Sequence, residues 1–346
     1  MTAGNFDYRL FLHCMKRSGS EHNDGKTGKW EYEMCTAIRF VNGDVYFGRN
    51  LDLERSYNEK IVITPRNYKF KMRETGVMWT KYGIIGMATV VDDYPLYYEG
   101  TNETGLSMAG LNFPGNAHYG EAIPGRDNIA PFEFIPWILG RCRDLKEVRT
   151  QLEELQLVHV DYNEDLPATP LHWMISDKDA SIVVECVWDG LKIWENPFDV
   201  LTNNPSFDYH RTYMSNFMGL QTGPAGMEYR SGLPLENYSL GMGALGLPGD
   251  FSSASRFVRA CFVKENSYCD ENEESSVNQF FHILDSVAMP KGCVWTERGY
   301  EYTRYSSCCN VNRGIYYYKT YENSTIGGIK MEKRDLDRKE LRIIEI

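Results

Sequence analysis

Between Cys35 and Asp52 the chain reads CTAIRFVNGDVYFGRNLD, two alternating runs joined by Asn42-Gly43. That dipeptide between such runs is the strongest short-range hairpin signal, because both central residues of a type I′ turn need positive φ. A hairpin commits the chain to antiparallel pairing, and a two-residue loop commits it to a register. With that loop Val41 faces Asp44, and counting outward brings Cys35 opposite Asn50. One face then holds Ile38, Phe40, Val45 and Phe47, the expected core side. The other holds Cys35, Ala37, Gly48, Asn50 and Asp52, small or polar residues that leave room beside a thiol. Arg49 points away from Cys35 in this register, so bringing it to the thiol requires a bulge, for which Gly48 is the suitable site. The count favours Asp52 over Arg49 as a neighbour of the cysteine.

The rest of the chain continues the β theme. KIVITP, LHWMISD, SIVVECVW and GIYYYKTY are β-branched or aromatic runs broken by turn residues. Helical spacing of three and four appears in APFEFIPWILGRCRDLKEVRTQLEELQ, SASRFVRACFVKEN and SSVNQFFHILDSVAM. There is no strand-helix alternation of the doubly wound kind. Hairpins beside paired helices predict antiparallel sheets covered by helices, an α+β class. Residues 1–34 stand apart: KRSGSEHNDGKTGKW is polar and aperiodic, so this stretch reads as an extension that is disordered or removed, leaving 35–346 as one domain.

Composition excludes several partners. A formal net charge of -11 with scattered basic residues gives no footprint for a nucleic acid backbone. No apolar run reaches the roughly 20 residues that cross a bilayer, and the N-terminus lacks a cationic start followed by an apolar segment, so a cytoplasmic location without membrane insertion is expected. Nine cysteines, an odd number in a chain large enough to need no disulfide, fit reduced thiols. No C-x-x-C occurs, and adjacent Cys308 and Cys309 chelate one metal poorly, so neither metal nor cofactor is expected.

A small cysteine on a strand is most often inert. A thiol nucleophile needs a base, and a residue at the start of a chain carries one: its own α-amine, with pKa of about 7.7 to 8.0. For Cys35 this requires loss of Met34 and all that precedes it, through processing or through translation that begins at Met34.

Seven segments spread along the chain carry a resemblance: MCTAIRF with GDVYFGRNLD, NETGLSMAGLNFPG, LPATPLHWMISD, LTNNPSFDYH, GLPGDFSSASRFVRACFVK, SVAMPKGCV and YSSCCN with GIYYYKTY. Together, from Met34 to near the C-terminus, they resemble the choloylglycine hydrolase family, and within it the bile salt hydrolases. The resemblance implies a four-layer αββα N-terminal nucleophile hydrolase sandwich with two antiparallel sheets, commonly a homotetramer. It implies Cys35 as the catalytic N-terminal cysteine, Arg49 as the arginine at the thiol, and Asp52 as the aspartate near the α-amine. It further implies Asn112 as an oxyanion donor through its backbone amide, Asn203 as the side-chain oxyanion donor, and Arg256 as the second active-site arginine. The implied substrate is a conjugated bile salt, cleaved at its amide through a thioester. Penicillin V acylases usually carry a tyrosine where Asn112 stands, which makes penicillin V, and likewise acyl homoserine lactones, the alternative. An apolar groove for the steroid is expected near Leu51 and Tyr57 and the loops about residues 88–95 and 157–168.

Each position also has a plainer reading. Arg49 and Asp52 suit a surface ion pair, Asn203-Asn204-Pro205 and Asn112 suit turns or loop entries, and Arg256 suits a capped helix start. GMGALG at residues 241–246 spells a dinucleotide fingerprint, but no strand precedes it and Pro248-Gly249 interrupts any following helix. No G-x-S-x-G elbow is present. A Cys-His arrangement with His118, His172 or His210 is a rival scheme, although His172 in its apolar run reads as a core histidine and His210 as structural. A non-catalytic binding protein on the same fold is the rival of a different class, separated by whether Cys35 alkylates faster than the other cysteines.

Overall fold

A computed structural model describes residues 34–226, 232–233 and 235–346 of the protein. Apart from Met34, the extension expected over residues 1–34 lies outside the described residues. The chain begins with β1 (Cys35–Asn42), β2 (Asp44–Leu53), β3 (Lys60–Thr64), the ribbon β4 (Lys69–Met72) and β5 (Gly76–Trp79), then β6 (Ile84–Val91), β7 (Tyr94–Asn102), β8 (Ser107–Asn112) and β9 (Asp127–Ile129). Helices α1 (Pro131–Arg141) and α2 (Leu145–Glu154) lead to β10 (Leu155–Leu157), β11 (Leu171–Ser176), β12 (Ser181–Val187), β13 (Gly190–Glu195), β14 (Val200–Leu201) and the short α3 (Phe207–Tyr213). Helices α4 (Ser253–Glu265) and α5 (Glu273–Asp285) precede β15 (Val294–Thr296), β16 (Gly299–Asn310), β17 (Ile315–Thr320), β18 (Gly327–Lys330), α6 (Lys333–Leu336) and β19 (Arg342–Ile344).

Two large sheets result. The first has the order β14-β1-β2-β16-β17-β18, with β15 added to β16; the second runs β13-β12-β11-β8-β7-β6-β3-β19. All pairings in both are antiparallel. The period of two in each strand builds four layers. In β3, Ile61 and Ile63 share a core with Ala37, Phe47, Ala109 and Met174 from both sheets, whereas Val62 belongs to a second core with Phe134, Trp137 and Ile138 of α1 and Val148 and Leu152 of α2. On the far side of the first sheet Phe257 and Cys261 of α4 and Phe280, Ile283 and Leu284 of α5 are buried with Ile38 and Phe40. The predicted α+β sandwich of sheets between helices is therefore the observed one.

The long helical stretch expected after Ala130 is two helices. Asp144 stops and restarts it, its carboxylate accepting from Glu147 N at 2.9 Å as the cap of α2. Residues 241–246 hold only a single 3₁₀ turn, Met242–Ala244.

The first hairpin departs from the predicted register by one residue. Asn42 pairs with Asp44 and Cys35 with Leu51. Of the two residues a type I′ turn would place at positive φ, only Gly43 has it, at 69°, and Asn42 does not. A loop turning on one left-handed residue shifts the whole ladder, and a one-residue slip exchanges faces. Cys35, Ala37, Val45, Phe47, Arg49 and Leu51 consequently share the face toward the second sheet, while Ile38, Phe40, Gly48, Asn50 and Asp52 share the other. Arg49, not Asp52, is on the cysteine's side, and the β1–β2 ladder needs no bulge to put it there. Gly48 serves a different purpose: a Cβ there would lie 2.0 Å from the Ser307 carbonyl oxygen, so its absence lets β16 close against β2.

Candidate active site

Cys35 opens the central pair of the first sheet and is buried. Its backbone N–H donates to Asn203 Oδ1 at 2.7 Å, and the Asp52 N–H donates to the carbonyl of Met34 at 3.0 Å, which extends the ladder past the cysteine. Asn203 follows β14, the strand beside β1, and its orientation is heavily determined. Asn203 Oδ1 also accepts from Arg256 Nη2 at 2.7 Å, its Nδ2 donates to Asn112 O at 2.8 Å, and its backbone N–H donates to Ser253 Oγ at 2.9 Å. Thus Cys35, Asn112, Asn203 and Arg256, which the sequence scatters over more than 200 residues, meet at one place.

Both arginines are fully buried, against the surface reading of their sequence contexts. Arg256 sits in the first turn of α4, where its Nη1 donates to Thr36 Oγ1 at 2.6 Å and to the carbonyl of Cys35, and its Nε donates to Phe251 O at 3.0 Å. Burial lowers its pKa, opposed by the charges of Asp52 and Cys35. Arg49 Nη1 donates to Gly110 O at 2.5 Å and Tyr98 O at 3.0 Å on the second sheet, and its Nη2 is buried with no partner among the described residues. Burial disfavours its charge, yet Cys35 first, then Tyr305, Glu99 and Asp52, hold the guanidinium above its ordinary value. Two fixed positive charges beside one thiol favour the thiolate.

Asp52 lies on the opposite face of β2, where Thr303 Oγ1 donates to its Oδ1 at 2.6 Å. Its Oδ2 is buried with no partner among the described residues. Burial pushes this carboxyl up to about 6, against the pull of Arg256, Thr303 and Arg49. A buried acceptor left open one ladder position from Cys35 N is suited to receive an ammonium group there.

The expected groove residues are less closely tied to the thiol. Leu51 is buried directly across the ladder from Cys35. Tyr57 lies beyond β2, its ring under the Arg55 guanidinium at 4.8 Å and its carbonyl accepting from Thr89 Oγ1 at 2.9 Å. The histidines of the rival scheme are engaged elsewhere: His172 with Glu185 and the Thr202 carbonyl, His210 with the Asn203 carbonyl, and His118 packed near Trp188.

Several residues of the site were not singled out in the sequence. Glu99 is buried between the sheets and accepts from Tyr305 Oη at 2.7 Å and from Tyr316 Oη. Burial raises its pKa, while Arg49 and the two phenols draw it back down. Glu301 accepts from the backbone N–H of Met34, and burial pushes its carboxyl up to about 9. No local motif marks these carboxylates. An apolar strand interrupted by one Glu, as in YPLYYEGTN, was the only available signal.

Two antiparallel sheets between helical layers, with a cysteine heading a central strand between two buried guanidiniums and two asparagines, define the N-terminal nucleophile hydrolase architecture. The profile of the linear amide C–N hydrolases, choloylglycine hydrolase family, matches residues 35–344, and the chain belongs to that family. It is 49% identical over 309 residues to a bile salt hydrolase/transferase of Lactiplantibacillus plantarum, a match covering 89% of this chain and 95% of that protein. It is 40% identical over 316 residues to a bile salt hydrolase/transferase of Clostridium perfringens, covering 89% and 96%. Among solved structures, an arginine-to-leucine variant of conjugated bile acid hydrolase from Clostridium perfringens superposes with a TM-score of 0.84 at 38% identity, covering 90% of this chain and 97% of that one. Penicillin V acylase from Agrobacterium tumefaciens shares the fold, with a TM-score of 0.72 at 19% identity over 90% and 91% of the two chains.

Proposed function

We propose that this protein is a bile salt hydrolase that cleaves the amide of glycine- or taurine-conjugated bile salts, with Cys35 as nucleophile once Met34 and the preceding residues are gone. Membership of an amide C–N hydrolase family, and 49% identity to a bile salt hydrolase/transferase over nine-tenths of the chain, carry the reading. In the proposed reaction the α-amine of Cys35 takes the thiol proton and Sγ attacks the amide carbonyl. Asn203 Nδ2 and the Asn112 backbone amide donate to the oxyanion, Arg49 and Arg256 favour the thiolate, and the open oxygen of Asp52 orients the amine. The tetrahedral adduct expels glycine or taurine, whose nitrogen takes the proton back from the α-ammonium, leaving a thioester. Water attacks the thioester, returns a proton through the amine to sulfur, and frees the bile acid.

The names of the relatives favour a second use of the same intermediate. An amine in place of water at the thioester yields a new amide, so the enzyme also transfers acyl groups when amines are abundant. The steroid is proposed to lie along Leu51 and Tyr57. A homotetramer is the assembly that the family resemblance implies, and the exposed apolar side chains of Leu235, Tyr238, Leu240 and Leu245 beyond the site support a subunit interface. Light scattering tests it. A cytoplasmic place is part of the proposal; no helix among the described residues is long and apolar enough to cross a membrane.

The test is a single preparation beginning at Cys35, checked by intact mass. It should release glycine or taurine from conjugated bile salts faster than it hydrolyses the side-chain amide of penicillin V, and Cys35→Ser should lack turnover. A preference for penicillin V would overturn the substrate and leave the mechanism standing.

A further inference from the structure

Two fully buried histidines that take no part in the proposed thiol chemistry converge on the segment that carries Asn203. His172 Nε2 lies 2.7 Å from Thr202 O, and His210 Nε2 lies 2.8 Å from Asn203 O. A carbonyl only accepts, so both of these nitrogens donate. The peptide groups before and after the Asn203 Cα are therefore each pinned by an imidazole.

His172 does more than its partner. Its ring stacks flat on Phe113, with centroids 4.2 Å apart and planes 5° from parallel. Phe113 immediately follows Asn112, and Thr202 immediately precedes Asn203. One rigid ring thus spans the gap between the two strand ends that supply the proposed oxyanion donors. The ring itself cannot rock, because Nδ1 lies 3.1 Å from Glu185 Oε1, and that carboxyl is anchored in turn by Phe207 N at 2.9 Å and Trp194 Nε1 at 3.0 Å. This chain of contacts stays within the interior and reaches neither the thiol nor the expected groove.

We propose that His172, oriented by Glu185, is the positioning residue that sets the spacing between Asn112 and Asn203. The inference rests on the reading of those two asparagines as oxyanion donors in amide hydrolysis. Arg49 reaches the thiol without touching Asn203, whereas Arg256 and the Cys35 N–H both bind Asn203 Oδ1, so the donors are the first but not the sole groups to feel a shift of Asn203. Displacement of a donor by a fraction of an ångström weakens its bond to the oxyanion more than its hold on the substrate.

Two variants of the processed enzyme test it. His172→Phe keeps a flat ring against Phe113 and removes both polar contacts; Phe113→Leu keeps those contacts and removes the stack. Each should lower kcat by about 10- to 100-fold with KM held, because geometry at the transition state is what is lost. The rate at which iodoacetamide alkylates Cys35 should fall much less than kcat in both, since Asn203 also holds Cys35 N and Arg256 but Arg49 does not depend on it. The double variant should be no worse than the poorer single one, since both changes act on one spacing. If His172→Phe does not fold, Phe113→Leu decides alone. A wild-type kcat in a folded variant, or alkylation that falls in step with kcat, overturns the proposal. Hydrolysis by the wild-type enzyme is measured first, so failure of the functional reading itself is seen separately.

Discussion

The Tyr98 carbonyl accepts from Arg49 Nη1 at 3.0 Å because Tyr98 is the extra residue of a β-bulge. Met87 pairs with Glu99 and Ala88 with Tyr97, so the register steps over Tyr98, whose carbonyl faces Arg49 of the other sheet. A second bulge lies in β16, where Thr303 pairs with Asp52 and Tyr305 with Leu51, leaving Arg304 as the extra residue. That insertion turns Tyr305 onto the face of Cys35 and Arg49, where its phenol reaches Glu99. One irregularity in each sheet, both near the thiol, thus gives Arg49 its acceptor and its counter-charge.

Because Glu99 is enclosed, removing the guanidinium beside it leaves a buried carboxylate without a cation. Arg49→Met should cost about 3–5 kcal/mol of stability by urea unfolding. Adding Glu99→Gln should restore most of that loss, whereas purely additive costs in the cycle would show that the two charges do not interact.

Gly48 has a neighbour that cannot step aside. A Cβ there meets the backbone oxygen of Ser307 at 2.0 Å, so Gly48→Ala should force β2 and β16 apart and destabilise by at least about 1–3 kcal/mol. Calorimetry should register the drop in Tm; an unchanged Tm would mean that the strands yield freely.

His210 makes stability depend on acid. Burial lowers its pKa to about 4, below the unfolded value of about 6.5, so the unfolded chain binds the extra proton between these limits. Its contribution is intact above about pH 6.5 and is lost as pH falls through about 4, a change of about 3 kcal/mol. Urea midpoints for the wild type should fall over that window more steeply than for His210→Gln.

In the proposed mechanism Asp52 bears on the base. An α-ammonium beside its open oxygen is stabilised, which raises the pKa of the amine. In the processed enzyme, Asp52→Asn should therefore move the acid limb of the kcat/KM profile to lower pH while reducing the maximum rate. A limb that stays in place would show that the carboxylate does not sense the amine.

Much of this was readable from residue order. β-Branched and aromatic runs marked β1, β2, β3, β11, β12 and β17, and apolar spacing of three and four marked α1, α2, α4 and α5, because burial on a face repeats with the backbone period. Residue order places the first hairpin but leaves its register open by one, since Asn42-Gly43 allows both a loop with two positive φ values and one with Gly43 alone. That choice is made by the strands flanking the hairpin, where β16 approaches Gly48 on one side and β14 pairs with β1 on the other.

Residue order by itself determined which segments are strands and helices, the α+β layering, and the chemical types available around Cys35, because these follow from local period and side-chain character. Tertiary structure alone decided which face of β2 meets the thiol, where the two bulges fall, and that Glu99, His172 and Glu185 are drawn in behind Arg49 and Asn203. Those outcomes depend on how two sheets fit against each other, and a one-residue shift that costs little locally exchanges every side chain between the two cores.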